Sequence, residues 1–141
     1  MSHLTKTDAL AALKDLRGFI GPDQLHILGE VMRGEEKQFF FDLLGSLAER
    51  VKTMPKTYEQ DGKGGQARAF LHYFKGSGDW YITGKDCDLD GEGQVQAFGQ
   101  ADLGFGPELG YISITELIEN NVELDFYYTP KTLNELNQEK E

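Results

Sequence analysis

The sequence predicts an α+β fold, with an N-terminal unit of three helices and a mostly antiparallel sheet of about five strands carrying one capped helix. Three observations predict it. Up to residue 57 the apolar residues recur every three to four positions, the helical period. Beyond residue 66 they alternate one by one, the period of a strand. Between the two, Tyr58 to Gln66 reads YEQDGKGGQ, polar and glycine-rich, as a linker does. The expected organisation is a helical unit over 1–57, a linker over 58–66 and an acidic sheet domain over 67–141.

The helical unit opens with Thr5-Lys-Thr-Asp8, a capping box with Asp in place of Glu. Ala9, Leu10, Leu13 and Leu16 follow, giving a helix over about 6–17 that Gly18 ends. Pro22 suits the first turn of a second helix, with Leu25, Leu28 and Met32 as its stripe, joined by Ile27 and Val31. Gly34 ends it. In the third helix Phe40, Leu43, Leu44, Leu47 and Val51 share one face. Glu35 and Glu36 are placed in its first turn and Arg50 and Lys52 in its last, as the helix dipole favours. Pro55 stops it. Gly45 in its interior costs about 1 kcal/mol relative to Ala.

In the sheet domain Ala69, Leu71 and Tyr73 alternate with Phe70, His72 and Phe74. A turn over Gly76-Ser-Gly-Asp79 and the strand Trp80-Tyr-Ile-Thr83 complete a hairpin. Lys85 to Gly93 is an acidic loop. The central stretch is FGQADLGFGPELGYISITELI, from Phe98 to Ile118. It reads as the end of a strand, a turn at Gly104, Gly106 and Pro107, a strand at Leu109 to Ile112, and a helix capped by Ser113-Ile-Thr-Glu116. Asn120-Asn121 ends that helix. Val122, Leu124, Phe126 and Tyr128 alternate as a last strand, and Thr129-Pro130 opens a short C-terminal helix.

The length of 141 residues suffices for a core without staples. No run of about 18 apolar residues is present to span a membrane, and no secretory signal is visible at the N-terminus. The single cysteine, Cys87, forms no internal disulfide, so a reducing cytoplasm is the expected location. Net charge is −10, and its placement is uneven. Residues 1–57 hold 8 Lys/Arg and 8 Asp/Glu, and residues 58–141 hold 6 and 16. An acidic half repels phosphate, so no nucleic acid is expected as partner, whereas a basic protein is attracted.

Asp86-Cys-Asp88-Leu-Asp90-Gly91 resembles the opening of a calcium loop. The twelfth position should be a bidentate Glu and is Ala97, and the flanks read as strands. The segment therefore reads as a solvated acidic loop, with no metal assigned. Cys87 lies between two aspartates whose charge disfavours the thiolate. The three histidines, His3, His26 and His72, have no zinc spacing. Gly104-Phe-Gly106 lacks the third glycine and the helix of a dinucleotide loop. No cofactor motif and no complete catalytic set are present. The dense aromatic set reads as core and cross-strand packing, with Tyr81, Tyr111 and Tyr127 offering an edge to a partner.

Trp80-Tyr-Ile-Thr83, Phe98-Gly99, Asp102-Leu-Gly104 and Glu108-Leu-Gly-Tyr-Ile-Ser113 with its helix carry a family likeness. Over about residues 68–130 the chain resembles a family of short proteins of unknown function encoded on bacterial plasmids and integrative elements. Members often carry Glu after the hairpin Thr, where this chain has Gly84. The resemblance implies a bacterial, intracellular setting on a mobile element, in the company of proteins that help establishment or blunt host defence.

The expected function is a non-catalytic accessory protein that binds a basic protein partner. Its binding residues are taken as Tyr81, Asp86, Asp88, Asp90, Glu92, Asp102, Glu108 and Tyr111. One alternative is a metal- or small-ligand-binding module centred on the loop at 86–92. Another is an enzyme using Asp102, Glu108 and His72 as its acid/base groups.

Overall fold

A computed structural model describes residues 4–60, 62–86 and 95–139. It shows the mixed α+β architecture, with three helices leading into an antiparallel sheet. The leading helices are α1 (Lys6–Asp15), α2 (Pro22–Val31) and α3 (Lys37–Thr53). A 3₁₀ turn at Gly64–Gln66 precedes β1 (Arg68–Ala69). The sheet strands are β2 (Leu71–Lys75), β3 (Gly78–Gly84), β4 (Ala97–Asp102) and β5 (Pro107–Ile112). After α4 (Ile114–Glu119) comes β6 (Glu123–Leu124), which completes the order β5-β4-β3-β2-β6. Two-residue β7 (Lys131–Thr132) pairs with β1, and α5 (Leu133–Glu139) closes the described chain.

Thr5 caps α1 as its sequence promised: its hydroxyl accepts the Asp8 N–H at 3.2 Å, and the Asp8 carboxylate accepts the Thr5 N–H at 2.8 Å. These bonds hold the Asp8 carboxyl below the ordinary value. Ser113 likewise accepts the Glu116 N–H and starts α4. Several boundaries move. α1 ends at Asp15, two residues early, and α3 starts at Lys37, so Glu35 and Glu36 precede it. The buried face of α3 is Phe41, Leu44, Leu47, Ala48 and Val51, a rotation that leaves Phe40 and Leu43 at its flanks. On α2 the buried residues are Gln24 and Leu28, and Ile27 is exposed. Gly45 has a physical reason: a Cβ there would lie 2.1 Å from the Leu4 Cδ1, so a larger residue would move the Leu4 side chain from its present seat on α3.

The last strand shrinks to two residues because Asp125 turns the chain, its carboxylate accepting the Tyr127 N–H at 3.0 Å. The C-terminal helix starts at Leu133 rather than after Thr129-Pro130. Thr132 and Glu135 form its capping box.

One hydrophobic cluster joins Leu16, Leu28, Leu44 and Leu47 of the helical front to Leu71, Tyr73, Ile82, Ala97 and Ile112 of the sheet. The helices and the sheet thus share a core across the stretch expected as a linker. That stretch is itself tied to the sheet. The Thr57 hydroxyl donates toward the Lys85 and Gln96 carbonyls, and the Gln60 amide donates to the Arg68 and Thr83 carbonyls. A second, smaller cluster of Ala67, Ala69, Tyr81, Tyr128, Leu133 and Leu136 lies between the opposite sheet face and α5.

Candidate functional site

Strand alternation sends every second residue of the sheet away from the helices, and register decides which of them meet. His72 pairs with Tyr81, Tyr81 with Gln100, and Gln100 with Leu109, making one row of the outer face. The next row is Phe74, Asp79, Asp102 and Pro107. The Gln100 side chain is buried and bonds the Asn137 amide of α5 at 3.0 Å.

His72 sits at the centre. Its Nε2 lies 2.8 Å from Asp79 Oδ1, and its Nδ1 lies 3.0 Å from Asp125 Oδ2. Its ring stacks on Tyr81 at 4.5 Å with an interplanar angle of 8°. Both ring nitrogens are therefore engaged by carboxylates. The Tyr81 phenol is pushed up to about 12, first by burial and then by Asp79, Glu139, Asp125 and Asp102. Four carboxylates from four separate segments thus act on one tyrosine.

Asp102 also builds the hairpin tip. Its Oδ1 accepts the N–H groups of Gly104 at 2.9 Å and Gly106 at 3.3 Å. Both glycines have φ near +100°, which other residues rarely adopt. The turn they make holds Phe105 outward, 96 % exposed, next to exposed Leu103. On edge strand β5, Leu109 and Tyr111 are exposed as well. The Tyr111 hydroxyl contacts the Tyr58 hydroxyl, and its ring meets Phe98 edge-on at 5.5 Å.

Beneath Tyr58 lies a cavity of about 360 Å³ between the outer face, residues 56–58, 60, 62 and 64, and α5. Ala67, Phe98, Leu109 and Leu133 supply its apolar wall, and Lys56 the single charge among the described residues that line it.

The residues expected at a binding surface divide. Asp102, Glu108 and Tyr111 lie on the β4–β5 hairpin, and Glu108 and Tyr111 are exposed. Tyr81 is only 8 % exposed, because Tyr128 and His72 pack on its ring; it is a core residue of this face and not an interface edge. Asp86 is buried as well and accepts the Gln96 N–H at 3.3 Å, closing the base of the acidic loop. Asp88, Asp90 and Glu92 lie outside the described residues. Asp86, beside Gln96, and Asp102 stand near opposite ends of β4, about 20 Å apart along the strand. The three acid/base groups do not assemble: His72 pairs with Asp79 and Asp125, Asp102 folds into its own turn, and Glu108 stands opposite Ala101.

Asp79, Asp125 and Glu139 were missed. Asp79 lies two residues before Tyr81 on the same face of β3, whereas Asp125 and Glu139 come from distant segments that only strand pairing and the C-terminal helix bring to Tyr81. One signal was available. A tight turn at Gly76-Ser77 pairs Lys75 with Gly78, and so pairs His72 with Tyr81 and Phe74 with Asp79. Reading the turn as four residues hid that register.

Among the described residues no group of three or more His, Cys, Asp or Glu is placed to hold a metal ion, and no helix is long and apolar enough to cross a membrane. No family model, curated protein or solved structure matches this chain.

Proposed function

We propose that this chain is a non-catalytic binding protein that holds a basic protein partner against the β4–β5 hairpin and the acidic outer face beside it. One observation carries the reading. Phe105 is almost wholly exposed on a turn that Asp102 fixes, and the same Asp102 belongs to the carboxylates around Tyr81. A large ring held in water without a partner is costly, and exposed apolar groups beside charge mark interaction sites. The net charge of −10 favours a basic partner and disfavours nucleic acid. The likeness of residues 68–130 to proteins of plasmids and integrative elements supports an accessory role for a bacterial mobile element, in the cytoplasm, including one that counters host defence.

A photo-reactive residue in place of Phe105 tests this, with the same residue in place of Leu10 on α1 as control. The expected result is a basic protein cross-linked from position 105 and not from position 10. With both proteins purified, Phe105→Ser weakens the complex at least tenfold, and added salt slows association. Equal cross-linking from both positions, or an affinity indifferent to Phe105→Ser, overturns the proposal. Tight binding of an oligonucleotide at physiological salt would also overturn it.

A further inference from the structure

The cavity beneath Tyr58 is separate from the exposed tip, and a different set of observations bears on it. Its volume of about 360 Å³ lies within the range of small-molecule sites. Its polar walls are already satisfied. Gln60 accepts the Arg68 N–H at 2.7 Å and donates to the Thr83 carbonyl at 2.7 Å. The Thr83 hydroxyl donates to the Phe98 carbonyl at 3.1 Å, and Thr57 is held by Lys85 and Gln96. A ligand therefore meets Ala67, Phe98, Leu109 and Leu133 as an apolar surface.

Lys56 is the exception. Among the described residues it is the only charged side chain on the cavity wall, and it forms no ion pair to a carboxylate there. Its neighbour Lys85 directs its ammonium the other way, to the Val51 and Lys52 carbonyls at the end of α3. Burial and then the charge of Lys56 hold Lys85 below its ordinary value, against the opposing charge of Glu59, whose carboxylate accepts the Lys56 N–H at 2.9 Å. The backbone adds a further sign. Tyr58 has φ of +82°, a left-handed conformation uncommon outside glycine. Such conformations persist where the surroundings enforce them, and they cluster at ligand sites. Here the conformation accompanies a Tyr58 side chain that meets the Tyr111 hydroxyl and ring.

We propose that this cavity binds a small amphipathic anion, its apolar body against Leu109, Leu133 and Phe98 and its carboxylate at Lys56. The site is independent of the partner proposed for the hairpin tip.

The test uses the full chain and three probes of one length: octanoate, octanol and octylamine. Calorimetry is expected to show saturable binding of octanoate, weaker binding of octanol and none of octylamine. The methyl resonances of Ala67, Leu109 and Leu133 should shift with octanoate. Lys56→Gln is expected to weaken octanoate at least tenfold and leave octanol unchanged, and Lys56→Arg should keep octanoate binding. Phe105→Ser should not alter it, which separates this site from the hairpin's. Equal binding of octanoate and octanol, unmoved methyl resonances, or an octanoate affinity untouched by Lys56→Gln would each overturn the proposal.

Discussion

The two faces of the sheet are made by the same strands, from residues that alternate one by one, and they hold opposite chemistry. Toward the helices stand Leu71, Tyr73, Ile82, Ala97 and Ile112, all buried in one apolar cluster. The polar handle of Tyr73 is used at once, its hydroxyl donating to the Phe19 carbonyl at 2.5 Å. On the other face, against which α5 packs, stand His72, Thr83 and Gln100, held by hydrogen bonds, and Tyr81, stacked on His72 with carboxylates around it. The first face draws its stability from area removed from water, roughly 1.5–3 kcal/mol for each large side chain fully buried. The second draws on paired polar groups, each worth less net but fixed in direction. A dry face tolerates little change in volume, whereas a polar face keeps charge and shape near solvent.

The largest expected effect breaks the dry side. Leu44 is fully buried where α3 meets the core. Leu44→Ala should lower the free energy of unfolding by about 2–5 kcal/mol, through lost burial and the cavity left behind. Urea denaturation followed by circular dichroism measures it. A loss below about 1 kcal/mol would mean that the helices are not packed on the sheet as described.

Gln24 is the polar exception on the helical side. Its side chain accepts the Leu124 N–H at 2.8 Å and donates to the Leu124 carbonyl at 2.9 Å, all buried. It stands where a further strand would pair with β6 and so seals that edge. Gln24→Ala leaves both backbone groups without partners and should cost about 1–3 kcal/mol. Gln24→Glu should cost at least as much at neutral pH, because the carboxylate only accepts. An unchanged denaturation midpoint for both variants would show water reaching this edge.

A smaller effect comes from alkali. Burial raises the phenols of Tyr73, Tyr81 and Tyr128, that of Tyr81 to about 12. An unfolded tyrosine titrates near pH 10. The folded state therefore holds these protons more tightly, and the stability they contribute is complete below about pH 10. It falls as pH rises from there through about 12. Urea midpoints at pH 9, 10.5 and 11.5 should decline in order. A midpoint constant over that window would contradict the burial of these rings.

What the sequence made legible follows the same division. Period, caps and turn residues are local, so Thr5, Ser113 and Pro22 marked their helices, and the alternation beyond residue 66 marked the sheet. The direction of a helix face was legible to within one residue: the α3 stripe was read through Phe40 where Phe41 is buried. Side-chain meetings across the sheet were not legible, because they depend on register and on the return of the C-terminal segment. His72 found both its carboxylates that way, and Tyr81 found Tyr128. Asp86 looked like free charge in an acidic run, yet one bond to the Gln96 backbone makes it part of the scaffold. The cavity was invisible, since its walls come from 56–58, 60, 62, 64, 67, 83–84, 98, 109 and 133.

The smallest expected effect on stability separates the two faces most sharply. Phe105 touches solvent over nearly all its surface, and the turn that presents it is held by Asp102 and two glycines rather than by the ring. Removing the ring takes nothing out of either hydrophobic cluster. Phe105→Ser should therefore change the unfolding free energy by no more than about 0.5 kcal/mol in either direction. A loss of 2 kcal/mol or more, on the scale of core truncation, would show that the ring packs on the protein in solution. The tip would then belong to the scaffold, and a tenfold loss of partner affinity on substitution would reflect damage to the fold. Stability kept within that margin, together with lost affinity, is the one combination that assigns Phe105 to recognition alone.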